Sequence, residues 1–192
     1  MTRALYAAGW AYVALCGLLL FTPRTRPSET RAPHVPAAPF RGEAPAWFAT
    51  MKPFCNAVEV EVQQQYRPAP EGVQGSGYSA ACFALAGKIE RARETIDRLA
   101  GGDRAQAAGI VFEVGHPVAD AGDDASAGPI MRLVVEYQPE NYMALYHAGI
   151  SEDILGHADL ARAHLERFLT IYQSEDGWRS NAKAVLARLG AQ

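Results

Sequence analysis

The chain has 192 residues, 49% of them hydrophobic and 20% charged, with a formal net charge of -3 at pH 7. That is enough apolar material for one ordinary domain with appendages. The mild acidity, with no basic stripe interleaved with aromatics, excludes the electrostatic footprint of a nucleic-acid binder.

From the N-terminus, Ala4 to Phe21 carries no charge. As a helix it spans about 27 Å, close to the hydrocarbon thickness of a bilayer. The residues after it, Thr22-Pro23-Arg24, supply no small-x-small cleavage site, which favours an uncleaved single-pass anchor over a secretory signal. The proline-rich stretch that follows has no periodicity and reads as a semi-extended tether. The division expected is therefore an anchor over residues 1–22, a tether over 23–46 and a folded domain over 47–192. Topology has two opposing signals. Arg24, Arg26 and Arg31 outnumber Arg3 and would hold the domain in the cytoplasm, whereas an even pair of cysteines outside the anchor, Cys55 and Cys82, suits an oxidising compartment. The expectation is a bacterial inner-membrane protein with its domain in the periplasm.

Between Trp47 and Tyr66 two periods overlap. Val58, Val60 and Val62 alternate with Glu59 and Glu61 as in a strand, while Trp47, Met51, Phe54, Val58 and Val62 recur at helical intervals. A lone strand would leave its edges unpaired, so a helical hairpin broken at Pro53 and ending before Pro68 is expected. Such a hairpin, lying over the next helix, brings Cys55 to Cys82. Two buried reduced thiols are the competing reading.

From Tyr142 to Tyr172 the apolar and small residues describe two amphipathic helices with a turn at Gly156-His157. Leu145-x2-Ala148-Gly149-x2-Glu152, followed by Ala161-x3-Leu165, resembles a tetratricopeptide repeat, with Glu152 where an aromatic residue is usual and Gln173 where proline is usual. One repeat cannot bury its own apolar face, so neighbours are required. Apolar-Gly pairs recur at Val114-Gly115 and Ala86-Gly87, and the second helices at Ala92-x3-Ile96 with Leu99 and at Ala127-x3-Met131 with Val134. The gaps between these glycines, 28 and 41 residues, add to two periods of about 34. The excess falls in His116 to Ser126, a Gly-, Asp- and Ala-rich stretch expected to be an exposed loop. Trp178 to Leu189 completes the pattern as a capping helix, with Trp178, Ala182, Val185, Leu186 and Leu189 inward and Arg179, Lys183 and Arg188 outward. The fold class expected is all-α: a short α-solenoid of three to four such hairpins with a C-terminal cap.

Motifs that carry chemistry are missing. His147, His157 and His164 lack the spacing of a His-x3-His site, and no Cys-x-x-Cys-His attaches a haem. Gly75-Ser76-Gly77 is neither a nucleophile elbow nor a phosphate loop. Asp120, Asp123 and Asp124 are out of register for a calcium loop and read as solvated acids. No catalytic, cofactor-binding or metal-binding residue is expected, and no enzyme.

What the resemblance implies is a protein-binding surface on the first helix of each repeat. It places Met143, Tyr146, Ile150, Asp153 and Ile154 in a groove, with Ala105, Gly109 and Phe112 beside them. The face is mostly apolar, which suits an apolar helix or extended segment of a partner better than an acidic tail. Two functions fit: an accessory or assembly subunit of an integral membrane complex of respiratory or photosynthetic type, its anchor packed through Gly9, Gly17 and several alanines, or a free-standing periplasmic scaffold for soluble partners.

Overall fold

Three glycines frame the molecule. In the computed structural model, which describes residues 42–191, Gly87, Gly122 and Gly156 adopt φ of 72°, 86° and 79°. This left-handed region costs an L-residue roughly 1–2 kcal/mol, and glycine nothing. Each glycine ends a helix in the same way. The amide of Lys88 donates to Phe83 O at 2.9 Å, that of Asp123 to Val118 O at 3.2 Å and that of His157 to Glu152 O at 2.8 Å, while each glycine's own amide donates three residues back. This is a Schellman turn made three times, satisfying carbonyls that a helix end leaves without partners.

The described residues are all helical, with no strand among them. The α-helices are α1 (Ala44–Met51), α2 (Val60–Tyr66), α3 (Val73–Leu85), α4 (Ile89–Asp97), α5 (Gly102–Asp120), α6 (Asp124–Tyr137), α7 (Tyr142–Ile154), α8 (Ala158–Ile171) and α9 (Gly177–Gly190), with a short 3-10 turn at Lys52–Phe54. The three turn glycines join α3 to α4, α5 to α6 and α7 to α8. Within these hairpins the partners pack on each other, and α3 also packs on α5, α5 on α6 and α6 on α7. Finally α9 closes on α8 and α7.

The second helix of each hairpin carries one inward signature. Ala92, Ala127 and Ala161 each stand five residues after the turn glycine, and Ile96, Met131 and Leu165 follow four later; all six are completely buried. Burying each of the three larger side chains contributes about 1.5–3 kcal/mol. On the first helices small residues admit the partner. A Cβ on Gly149 would lie 2.6 Å from Leu165 Cγ, and one on Gly115 would lie 2.7 Å from Ile130 Cγ2. Backbones come this close only where no side chain intervenes. The core is continuous from Trp47 to Ala148, with a second cluster from Leu145 to Leu189, and Val135 touches both.

Three expectations change. The exposed loop placed at His116 to Ser126 is instead helical: α5 runs through Gly115 and Pro117 to Asp120, and only Ala121 to Asp123 separates it from α6. The true turn is Gly122, so the steps from residue 87 to 122 and from 122 to 156 are 35 and 34 residues, with no insertion. Gly115 is the counterpart of Gly149, a contact glycine and not a turn glycine.

The second change concerns residues 47–66. They are helical and broken at Pro53, but the inward phase resets at the break. Trp47 and Met51 are buried, whereas Val58 is 85% exposed and Val60 is fully buried in its place. The cause is the turn at Cys55 to Glu59, where the Asn56 side-chain oxygen accepts from the amides of Val58 and Glu59 at 3.1 Å and rotates the next helix. Both segments pack on α3, and a Cys55–Cys82 disulfide fastens them there. Helix α1 begins at Ala44, with proline in its first turn, inside the stretch expected to be tether.

Third, Arg179 does not point outward. Its guanidinium donates to the carbonyls of Leu169 and Tyr172, closing the C-terminal end of α8, where a cation complements the helix dipole. The rest of the cap is as expected: Ala182, Val185 and Leu189 are buried, and Asp176 caps the helix by accepting from the amides of Trp178 and Arg179. The uncharged segment at residues 4–21 and most of the tether lie outside the described residues. No helix among those described is long and apolar enough to cross a membrane.

Candidate protein-binding face

The surface offered by α5 and α7 divides into a cleft, a covered half and a polar corner. The cleft, about 670 Å³, lies between Phe112 of α5 and the segment from Gln138 to Met143 that enters α7. Phe112, Pro139, Tyr142 and Met143 make it largely apolar. One wall is held by a chain of hydrogen bonds. Gln138 Nε2 donates to Ala105 O at 2.7 Å, Asn141 Nδ2 donates to Gln138 Oε1 at 2.9 Å, and Asn141 Oδ1 caps α7 by accepting from the Ala144 amide at 3.0 Å. Pre-organised walls of this kind reduce the ordering cost of binding.

Among the residues expected in a groove, Phe112 and Met143 therefore line this cleft. Ala105 and Gly109 back it: Ala105 supplies the carbonyl, and a Cβ on Gly109 would meet Gln138 Nε2 at 3.1 Å. Tyr146, Ile150 and Asp153 are taken up by α9. The Tyr146 ring sits 4.6 Å from that of Trp178 and 5.3 Å from Phe168, and its hydroxyl accepts from Asn181 Nδ2 at 2.7 Å. Burial pushes the Tyr146 phenol up, and the Asn181 contact only partly offsets it. Ile150 packs on the cluster beneath α9, and Asp153 accepts from Arg188 at 2.5 Å. Ile154 is 58% exposed at the end of α7. The eight positions thus do not form one trough; the cap helix occupies half of what a longer array would leave open.

The polar corner was not legible in chain order. His116 and Asp120, one turn apart in α5, meet His147 of α7. Each of the three offers a ligating atom within 4.8 Å of the other two. Asp124, in the first turn of α6, holds His147 Nδ1 at 2.8 Å. His147 is 4% exposed, and its Nε2, like that of His116, has no hydrogen-bond partner among the described residues. Burial pulls His116 below the usual imidazole range, with the Asp120 charge working the other way. An aromatic row joins the corner to the cleft: Phe112 stacks on His116 at 4.8 Å, His116 meets His147 edge-on at 5.1 Å, and His147 meets Trp178 at 5.3 Å. A cavity of about 350 Å³ opens beside His147, between Asp120, Asp124, Tyr146 and Trp178. The spacing His116-x3-Asp120 was the available signal, and the partner His147 lies 31 positions after His116 in another helix.

Elsewhere, Glu152, fully buried where the repeat pattern has an aromatic residue, binds Arg132 of α6 and His157. Comparison with family models, with curated proteins and with solved structures returns no match to this chain.

Proposed function

We propose that the chain is a membrane-anchored protein-interaction module, an accessory or assembly subunit of a larger bacterial membrane complex, whose tetratricopeptide-like hairpins brace an extrinsic partner. One observation carries the reading: an apolar, hydrogen-bond-braced cleft at Phe112 and Met143, on helices that recur every 34 to 35 residues. Extended arrays of such hairpins bury their own faces and present the remaining surface to other chains. An apolar segment of a partner, bearing one or two large side chains, is the occupant that fits. Anchoring is proposed through the uncharged residues 4–21. A periplasmic position is supported by the Cys55–Cys82 bridge, since disulfides persist in oxidising compartments.

Extraction of membranes in mild detergent followed by native electrophoresis tests this reading. A stable, stoichiometric band of high mass is the expected result. A diffuse band at the mass of the isolated chain contradicts a subunit role and leaves a free-standing scaffold.

A further inference from the structure

We infer that His116, Asp120 and His147 form a binding site for a first-row divalent transition-metal ion of the zinc class, fastening α5 to α7, with Asp124 as the carboxylate that orients His147. The donor set comes first. Two imidazoles and a carboxylate suit zinc and its neighbours, and an ion bound about 2.0–2.1 Å from each ligand atom separates them by roughly 3.3 Å. Here His116 Nδ1 stands 3.4 Å from Asp120 Oδ2, and His147 Nε2 stands 4.0 Å from Asp120 Oδ1. All three ligating atoms lie within 4.8 Å of one another, so rotation of the exposed Asp120 side chain and an approach of the two imidazoles by up to about 1.5 Å close the set.

The second observation is independent of the clustering. The His147 side chain is 95% buried, being 5% exposed, yet its Nε2 is without a partner, while its Nδ1 is 2.8 Å from Asp124 Oδ1. When Nδ1–H donates to the carboxylate, Nε2 carries a lone pair, directed at the space Asp120 borders. Carboxylate, histidine and metal in series is the arrangement that fixes tautomer and ring orientation in metal sites. The competing arrangement, a charged imidazolium between Asp120 and Asp124, leaves the Nε2 nitrogen 4.0 Å from Asp120 Oδ1, beyond a hydrogen bond.

Charge placement points the same way. Asp120 lies in the last turn of α5, where the helix dipole disfavours a carboxylate, and Asp123 and Asp124 follow within four residues. A divalent cation offsets the charges of Asp120 and Asp124, the two carboxylates that face His147. The open side of the site faces the cavity beside Trp178, leaving a coordination position for water or a partner's side chain. The site stands apart from the partner-binding proposal.

The test uses the full-length chain in mild detergent, stripped with a chelator and dialysed. Zinc is then titrated against a chromophoric competitor, and cobalt(II) is added as a spectroscopic probe. One zinc per chain and visible cobalt d–d bands are expected. Asp120→Asn, on an exposed side chain, and His147→Gln should each weaken zinc binding at least tenfold and abolish the bands, and Asp124→Asn should weaken it roughly 10–100-fold. Asp159→Asn, an exposed acid on α8, should change nothing. Circular dichroism of Asp120→Asn matching the parent keeps loss of binding separate from loss of fold. Substoichiometric uptake without cobalt bands, or unchanged affinity in Asp120→Asn, overturns the site.

Discussion

The Glu152 carboxylate accepts from Nδ1 of His157 at 2.6 Å while the Glu152 carbonyl accepts from the His157 amide at 2.8 Å, so one residue holds the α7–α8 turn by both side chain and backbone. Its other carboxylate oxygen binds Arg132 of α6. Burial acts to raise the Glu152 pKa, but the His157 and Arg132 contacts together outweigh it and hold the carboxyl below its usual range. A folded pKa below the unfolded one contributes stability that is present above the ordinary carboxylate pKa of about 4.3 and is lost as pH falls through the folded value. Glu152→Gln is expected to cost about 2 kcal/mol at pH 7, lowering Tm by roughly 4–8 °C, and to flatten the loss of stability in acid. Thermal melts of both proteins from neutral to acid pH measure this. Parallel curves separated by nothing would show that the buried ion triad contributes no stability.

The two classes of glycine respond differently to alanine. At Gly122 no atom lies within 4 Å of an added Cβ, so Gly122→Ala carries only the left-handed strain, about 1 kcal/mol, and Gly122→Asn less. At Gly149 the new methyl would meet the Leu165 side chain at 2.6 Å and its backbone nitrogen at 3.3 Å, and overpacking of about 1–3 kcal/mol is expected. Denaturant titrations of the two variants separate them. A larger loss at Gly122, or Asn no better than Ala there, would contradict the assignment of that residue as the turn.

That pair also marks how far the sequence could be read. The inward faces of α4, α6 and α8 were legible, because Ala92, Ala127 and Ala161 with their companions at the next turn obey a helical period that burial enforces. The turn of the middle hairpin was not, because glycine serves two purposes and Val114-Gly115 imitates Leu155-Gly156. The distinguishing feature is the fixed interval to the following alanine, four intervening residues after Gly87, Gly122 and Gly156. Placing the turn at Gly115 made a loop of residues 116–126 and so hid His116 and Asp120 on a helix facing His147. The groove positions were legible as first-helix residues, but coverage of Tyr146, Ile150 and Asp153 depends on where α9 docks, a tertiary contact with no local signature.

The bridge between Cys55 and Cys82, 27 residues apart, ties the N-terminal helices to α3. Closing a loop of that size contributes about 3–4 kcal/mol in the chain-entropy model. One maleimide-reactive thiol per denatured chain is expected before reduction and three after, since Cys16 is the remaining cysteine. Reduction should lower Tm by roughly 10 °C. Three reactive thiols in protein prepared from membranes without reductant would contradict both the bridge and the oxidising compartment proposed from it.

The central claim, that a partner's apolar segment occupies the cleft at Phe112 and Met143, is tested most directly by site-specific photo-crosslinking in native membranes. A benzophenone side chain placed at Met143 is expected to yield one discrete higher-mass adduct, lost when Phe112→Asp puts a charge into the cleft. The same probe at Ala163, exposed on α8, should yield none. No adduct from Met143, or the same adduct from both positions, would contradict the account.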